Sequence, residues 1–200
     1  MRSPRIPIMR KTVIILFILS ISAFAQRTYT LDVDAFCQPN ENRIENMILR
    51  DQHNQRINGI VYRYYDSGEL ELEIPALNGR IEGTSREYDR EGKITREMTV
   101  YGGNIASRKT YHNNGQLAEE WAATGTSSAY YEDGKLSRAA KHKDGKLDGE
   151  FKTYDQSGKL LIDAVYASDL PVTGRCVPDG RMLTNAEMIN LKNNLPVQCN

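Results

Sequence analysis

The chain has 200 residues, enough for one domain, with 26 basic and 26 acidic side chains and 40% apolar residues. The even balance hides a bias: residues 1 to 25 carry four basic groups and no acid, so the remainder holds 22 basic against 26 acidic side chains. A surface of that sign excludes nucleic acid as an expected partner and disfavours anionic lipid, because both select basic faces.

Arg2, Arg5, Arg10 and Lys11 precede an almost wholly apolar run over residues 12 to 24, and Ala23-Phe24-Ala25 supplies a small-x-small cleavage pattern before Gln26. Residues 1–25 therefore read as a cleaved signal peptide, which predicts an exported chain, periplasmic or extracellular. The apolar run falls short of the roughly 20 residues a spanning helix needs, so stable membrane insertion is not expected. Cys37 is the first cysteine, far beyond that run, and Val33-Asp34-Ala35-Phe36 does not look like a lipidation box.

Residues 26–46 read as an N-terminal strand and loop. From Arg27 to Phe36, Tyr29, Leu31, Val33 and Ala35 alternate with Thr28, Thr30, Asp32 and Asp34, which predicts one half-buried strand. Residues 37–43 are loop by composition, and a strand is expected again from about Met47.

Residues 47–175 are a repeat array. Tyr64 with Gly68 and Leu70, Tyr88 with Gly92 and Ile94, Tyr111 with Gly115 and Leu117, Tyr130 with Gly134 and Leu136, and Tyr154 with Gly158 and Leu160 recur at spacings of 24, 23, 19 and 24 residues. Upstream of these, Asn78-Gly79-Arg80-Ile81-Glu82-Gly83 and Asp144-Gly145-Lys146-Leu147-Asp148-Gly149 match position for position, and Asn54 to Gly59 matches with one glycine lost. Asn-Gly and Asp-Gly favour two-residue hairpin turns, and Tyr-x-x-x-Gly reads as a longer hairpin loop ending in the left-handed region. Each repeat is thus two strands and two turns. Ile60, Tyr62 and Tyr64 share one parity, as do Leu70, Leu72 and Ile74, so the first hairpin is expected to have one apolar and one charged face. Stacked units would align the tyrosines, their Leu or Ile partners, and a third ladder of Ile57, Ile81, Ile105 and Leu147. The fourth unit is short, with Trp121 at the first-turn glycine position, which predicts a kink or bulge near Ala122 to Ser127.

After Tyr166 the pattern decays. Residues 176–200 form a C-terminal cap in which Thr184-Asn185-Ala186-Glu187 is a capping box opening a short helix, with Met188, Ile189 and Leu191 available for packing.

The paired Asn/Asp-Gly-x-x-x-Gly and Tyr-x-x-x-Gly-x-Leu elements resemble the bacterial variant of the MORN repeat over roughly Met47 to Arg175. The resemblance implies an all-β, elongated antiparallel hairpin meander and, for many bacterial relatives, an antitoxin label. The Tyr-x-Gly-x-Trp opening of the eukaryotic pattern is missing, so lipid-binding roles ascribed to that group are not carried over.

Chemistry-bearing motifs are sparse. His53, His112 and His142 sit in or beside predicted turns and lack HxH or HExxH spacing, so they read as solvated. The acids of Asp144 to Gly149 read as turn residues rather than a calcium loop. No catalytic residue, metal or cofactor is expected. Three cysteines cannot all pair within one chain; Cys176 and Cys199 flank the tail helix and are the disulfide candidates, with Cys37 left over. Tyr64, Tyr88, Tyr111, Tyr130 and Tyr154 are the candidate binding residues, against the alternative that they only pack. The reading is an exported, non-enzymatic protein-binding or scaffold module with a protein partner; the alternatives are an antitoxin and an exported hydrolase with a composite site.

Overall fold

The computed structural model describes residues 27–31, the backbone of 35–38, and residues 48–199. Residues 1–25, expected as a signal peptide, and the Cys37 side chain lie outside the described residues. The N-terminal strands are β1 (Thr28–Thr30), β2 (Ala35–Gln38) and β3 (Ile48–Asp51). The repeats follow as β4 (Gly59–Tyr64), β5 (Leu70–Leu77), the two-residue β6 (Arg80–Ile81), β7 (Gly83–Tyr88), β8 (Ile94–Tyr101), β9 (Asn104–Tyr111) and β10 (Leu117–Ala122). They continue through β11 (Gly125–Tyr130), β12 (Leu136–Lys143), β13 (Lys146–Tyr154), β14 (Leu160–Ala167) and β15 (Leu170–Cys176), and α1 (Asn185–Lys192) ends the chain's regular structure. All strands but β2 and β3 form one sheet of thirteen, a hairpin meander in chain order, antiparallel except where β1 runs parallel to β4.

Every Tyr-x-x-x-Gly-x-Leu hairpin carries the same irregularity. Tyr64 pairs with Leu70, Tyr88 with Ile94, Tyr111 with Leu117, Tyr130 with Leu136 and Tyr154 with Leu160, each beside a one-residue register shift. A bulge of this kind moves the following residues to the opposite face. The loops are closed by their own side chains: Asp89 Oδ1 accepts from the Glu91 and Lys93 amides, and Asp155 Oδ1 from those of Ser157 and Lys159, at 2.8–3.0 Å. At the opposite ends of the strands, Asn78 and Asp144 occupy the left-handed region, φ 52° and 51°, as the two-residue turns require.

The bulge overturns the expected division of the first hairpin. Val61 pairs with Ile74 and Arg63 with Leu72, so these share a face, whereas Tyr62 pairs with Glu73 and Tyr64 with Leu70 on the other. Parity counted without the bulge had placed Leu70, Leu72 and Ile74 together.

All buried apolar positions of the array fall on one face, in two separate groups. Near the start, Leu49, Ile57, Val61, Ala76, Ile81 and Val100 pack together, with Ile105 partly buried beside them. Near the end, Ala140, Leu147, Phe151, Ile162, Ala164 and Tyr166 pack against Met188 and Leu191 of α1. The helix is held by its capping box, Thr184 with Glu187, by Tyr166 Oη donating to the Met188 carbonyl at 2.7 Å, and by the Cys176–Cys199 disulfide, Cα–Cα 5.4 Å. Ile189, expected to pack, is 49% exposed, because only Met188 and Leu191 lie on the buried side of so short a helix.

The expected single strand over Arg27 to Phe36 is divided. β1 lies against β4, with Ile60 N–H donating to the Arg27 carbonyl and Leu31 N–H to that of Tyr62, while β2 pairs with β3 in a separate two-stranded sheet. Residues expected as loop, Cys37 and Gln38, belong to β2. The array also extends past Tyr166: Ser168 and Asp169, φ 48° and 71°, make a tight turn without glycine into β15. That last strand is shielded as an edge by Pro171, which has no N–H, and by residues 181–183, where Cys176 N–H reaches the Arg181 carbonyl and Leu183 N–H the Gly174 carbonyl, both at 2.8 Å.

Candidate functional site

Opposite the two packed clusters, the sheet presents a face that no segment among the described residues covers. One row of cross-strand neighbours crosses it from β5 to β15: Glu73, Arg86, Glu97, Lys109, Glu120, Ser128, Ala139, Lys152, Asp163 and Arg175. Charge alternates along it, interrupted by the neutral pair Ser128 and Ala139, and resumes in the same phase. None of these residues is buried. Ion pairs run within the row: Arg86 to Glu97 at 3.1 Å and to Glu73 at 3.7 Å, Lys109 to Glu120 at 3.3 Å, and Arg175 to Asp163 at 3.6 Å. Half-exposed pairs of this type contribute about 0–1 kcal/mol each, so their ordering matters more than their strength.

A second row borders the first on its loop side. In strand order it reads Tyr64, Leu70, Tyr88, Ile94, Tyr111, Leu117, Tyr130, Leu136, Tyr154 and Leu160, tyrosine alternating with Leu or Ile because each pair closes one hairpin. All five sequence-predicted tyrosines are therefore on one face and in one line. Their rings do not stack across hairpins; the ring contacts among the described residues join Tyr62 to Tyr64, Trp121 to His142 and Phe151 to Tyr166.

Two of the hydroxyls reach back into the charged row, Tyr88 Oη to Glu73 at 3.1 Å and Tyr111 Oη to Glu97 at 2.7 Å. Partial burial, reinforced by the neighbouring carboxylate, raises both phenols, that of Tyr111 to about 12. Both stay neutral donors at physiological pH. The equivalent position for Tyr154 is Ala139, which cannot accept, and for Tyr130 it is Glu120, which pairs with Lys109. The hydroxyls of Tyr130 and Tyr154 accordingly have no protein partner among the described residues, and Tyr64 is 46% exposed. The residues that follow the tyrosines stitch neighbouring hairpins: Tyr65 Oη donates to the Tyr88 carbonyl at 2.7 Å, Tyr131 Oη to the Tyr154 carbonyl at 2.6 Å, and His112 Nε2 lies 3.0 Å from the Tyr130 carbonyl.

On the packed face, the stretch between the two clusters is polar. His142 Nδ1 lies 3.1 Å from Ser127 Oγ, its ring meets Trp121 edge-on at 6.1 Å, and the Arg108 guanidinium sits 5.5 Å from the Trp121 ring centre. Burial lowers the His142 pKa. Ser127 Oγ also accepts the Ala122 amide at 3.0 Å, so where the fourth unit is short a side-chain bond follows the last β10–β11 pair, Glu120 with Ser128, and that pairing has no register shift of the kind a bulge near Ala122 to Ser127 would give. His112 and His142 are thus structural partners rather than solvated turn residues; His53 alone is exposed in a turn. A cleft of about 320 Å³ beneath the C-terminal tail, lined by Arg138, Phe151, Leu191 and Val197 among others, has its one cation tied to Glu119 and Asn194. Among the described residues no group of His, Cys, Asp and Glu could hold a metal ion.

Sequence reading found the tyrosines but missed the charged row. Its members are spaced unevenly along the chain by loops and bulges, and only the pairing brings them into line.

Five segments, residues 57–78, 81–100, 106–121, 123–144 and 147–167, match the family model described as MORN repeat variant. None of the curated proteins compared with the chain matches it. Among solved structures, it is similar to a chain of the crystal structure of a GtfA/B complex bound to UDP and GlcNAc, at 12% identity over 74% of this chain, with a TM-score of 0.24. The match spans 25% of that chain's length.

Proposed function

This chain belongs to the MORN repeat variant family, and from that premise we propose that it is an exported, non-enzymatic module that binds a protein partner on the open face of its sheet. The observation that carries the reading is the tyrosine row: five rings in line on an uncovered face, with the Tyr130 and Tyr154 hydroxyls unpartnered among the described residues. Tyrosine joins a large apolar ring to a polar tip, which suits it to protein contacts. An antitoxin would use the same face, its partner then being a toxin.

The non-enzymatic reading is supported by the burial of the Ser127–His142 contact. Ser127 is 6% exposed and its oxygen already accepts the Ala122 amide, so it is poorly placed to attack a substrate. Export is supported by the leader-like composition of residues 1–25 and by the Cys176–Cys199 disulfide, a bond that persists in oxidising compartments. Intact-mass measurement of the recovered protein should show cleavage after Ala25; retention of residues 1–25 would refute export by this route.

The binding reading is tested by replacing Tyr130 and Tyr154 with Ser. Capture of an envelope partner is expected to fall at least tenfold while the unfolding midpoint moves by no more than a few degrees. A collapsed midpoint with capture retained at low temperature would show that the row serves packing alone. Tyr111→Ser is the contrasting variant, since it also deletes the bond to Glu97 and should lower the midpoint more.

A further inference from the structure

Taking the open face as the binding surface, an inference that rests on the preceding reading, we infer that the partner is a second copy of this chain, docked face to face about a two-fold axis running along the strands between Ser128 and Ala139. Such an axis keeps the sense of every strand and reverses strand order. A residue on one side of the axis therefore faces the residue equally far on the other side of the second copy.

Both rows on this face are complementary under that operation. One strand beyond the neutral pair stand Glu120 and Lys152, then Lys109 and Asp163, then Glu97 and Arg175. Each acid of these three pairs thus faces a base of the second copy. The bordering row obeys the same rule, with Tyr130 facing Leu136, Tyr154 facing Leu117, and Tyr111 facing Leu160, so that each ring meets an aliphatic side chain instead of another ring.

The axis passes through the two smallest side chains of the charged row. Twisted sheets packed face to face approach most closely at one place and keep their strands within about 30° of each other, and Ser128 and Ala139 leave room there. The internal ion pairs need not break, because an ammonium has three donors, a guanidinium five and a carboxylate about four acceptor sites. The six strands β9 to β14 offer a projected footprint on the order of 600 Å², near the scale of a specific interface at about 800 Å² of accessible surface per partner. Addition of a copy at the β15 edge is opposed by Pro171 and by the pairing of residues 181–183.

Sedimentation of the full chain at micromolar concentration is expected to show a dimer that weakens about tenfold between roughly 0.05 and 0.5 M salt, as screened charge pairs should. Glu120→Lys and Lys152→Glu should each weaken self-association at least tenfold, since each places like charges opposite one another twice. Mixed in equal amounts, the two variants should recover association as a heterodimer, in which both contacts are again of opposite sign. A monomeric wild type, a dimer indifferent to both variants, or failure of the mixture to associate would each overturn the inference. Thermal midpoints control for folding; should either variant not fold, the milder pair Glu120→Gln and Lys152→Gln must still weaken the dimer. If a monomeric chain captured a different envelope protein in a Tyr130- and Tyr154-dependent way, the binding reading would stand and this one would fall.

Discussion

Gly59 and Gly174 are held without side chains by what lies against them. A Cβ on Gly59 would stand 2.1 Å from the Arg27 carbonyl oxygen, and one on Gly174 would stand 2.4 Å from Met188 Sδ, with Ala164 close behind. The first contact is how β1 reaches β4, and the second is how α1 lies flat on β15. Gly174→Ala is therefore expected to cost about 1–3 kcal/mol through overpacking, read as a loss of thermal midpoint. Gly92 and Gly158 differ: their surroundings are open, and only φ of 79° and 88° constrains them. Gly92→Val and Gly158→Val should each destabilise by at least about 1 kcal/mol, whereas Lys93→Ala should stay within about 0.5 kcal/mol. Glu187 supplies a pH-sensitive contact. Its carboxylate receives Arg181 at 3.0 Å and the Thr184 amide at 2.9 Å, and these hold its pKa down at about 2. A depressed folded value means that the stabilisation is complete above the ordinary value near 4.5 and is lost as pH falls toward 2. Amide exchange at Met188 and Leu191 should accelerate across that window in the wild type and show no such transition in Glu187→Gln.

Hairpins were the most legible elements, because their signals are local. Asn78-Gly79 and Asp144-Gly145 turn as their composition dictates, and each tyrosine meets the Leu or Ile six residues on. Face assignment was not legible in the first unit: the bulge at Glu71 comes from the geometry of the five-residue loop, and it breaks the strict alternation on which parity counting depends. Ser168-Asp169 escaped notice for a similar reason, since two polar residues adopt there the conformation for which glycine is the usual marker. The helix was read correctly at its N-cap, where Thr184 and Glu187 bond reciprocally, and incorrectly at Ile189, because one buried stripe on eight residues has room for few side chains. Leu191→Ala should remove about 2–5 kcal/mol from the C-terminal cluster. Reducing the Cys176–Cys199 bond should lower the midpoint further, and the two effects are not expected to add, since both loosen the same helix.

Viewed whole, the molecule has two anchored ends and a thin middle. Strands β9, β10 and β11 contain one buried residue, Ser127, whereas six buried apolar side chains pack before them and eight after. Stability in such a quasi-linear array is a sum of local terms, so the ends should respond independently. Ile57→Ala is expected to speed amide exchange in β4 and β5 through a loss of about 2–5 kcal/mol while leaving β13 and β14 protected. Uniform acceleration would indicate that the middle transmits packing after all. The separation of the end caps has one more consequence. The helix and its disulfide close only the last strands, and β1 and β3 only the first, so a hairpin added between them should leave both caps intact. Duplicating one should lengthen the molecule by about 10 Å, two strand spacings, without redesigning either terminus; the span between the termini is then a dimension that gene duplication can set in fixed increments, as divisions set the length of a ruler.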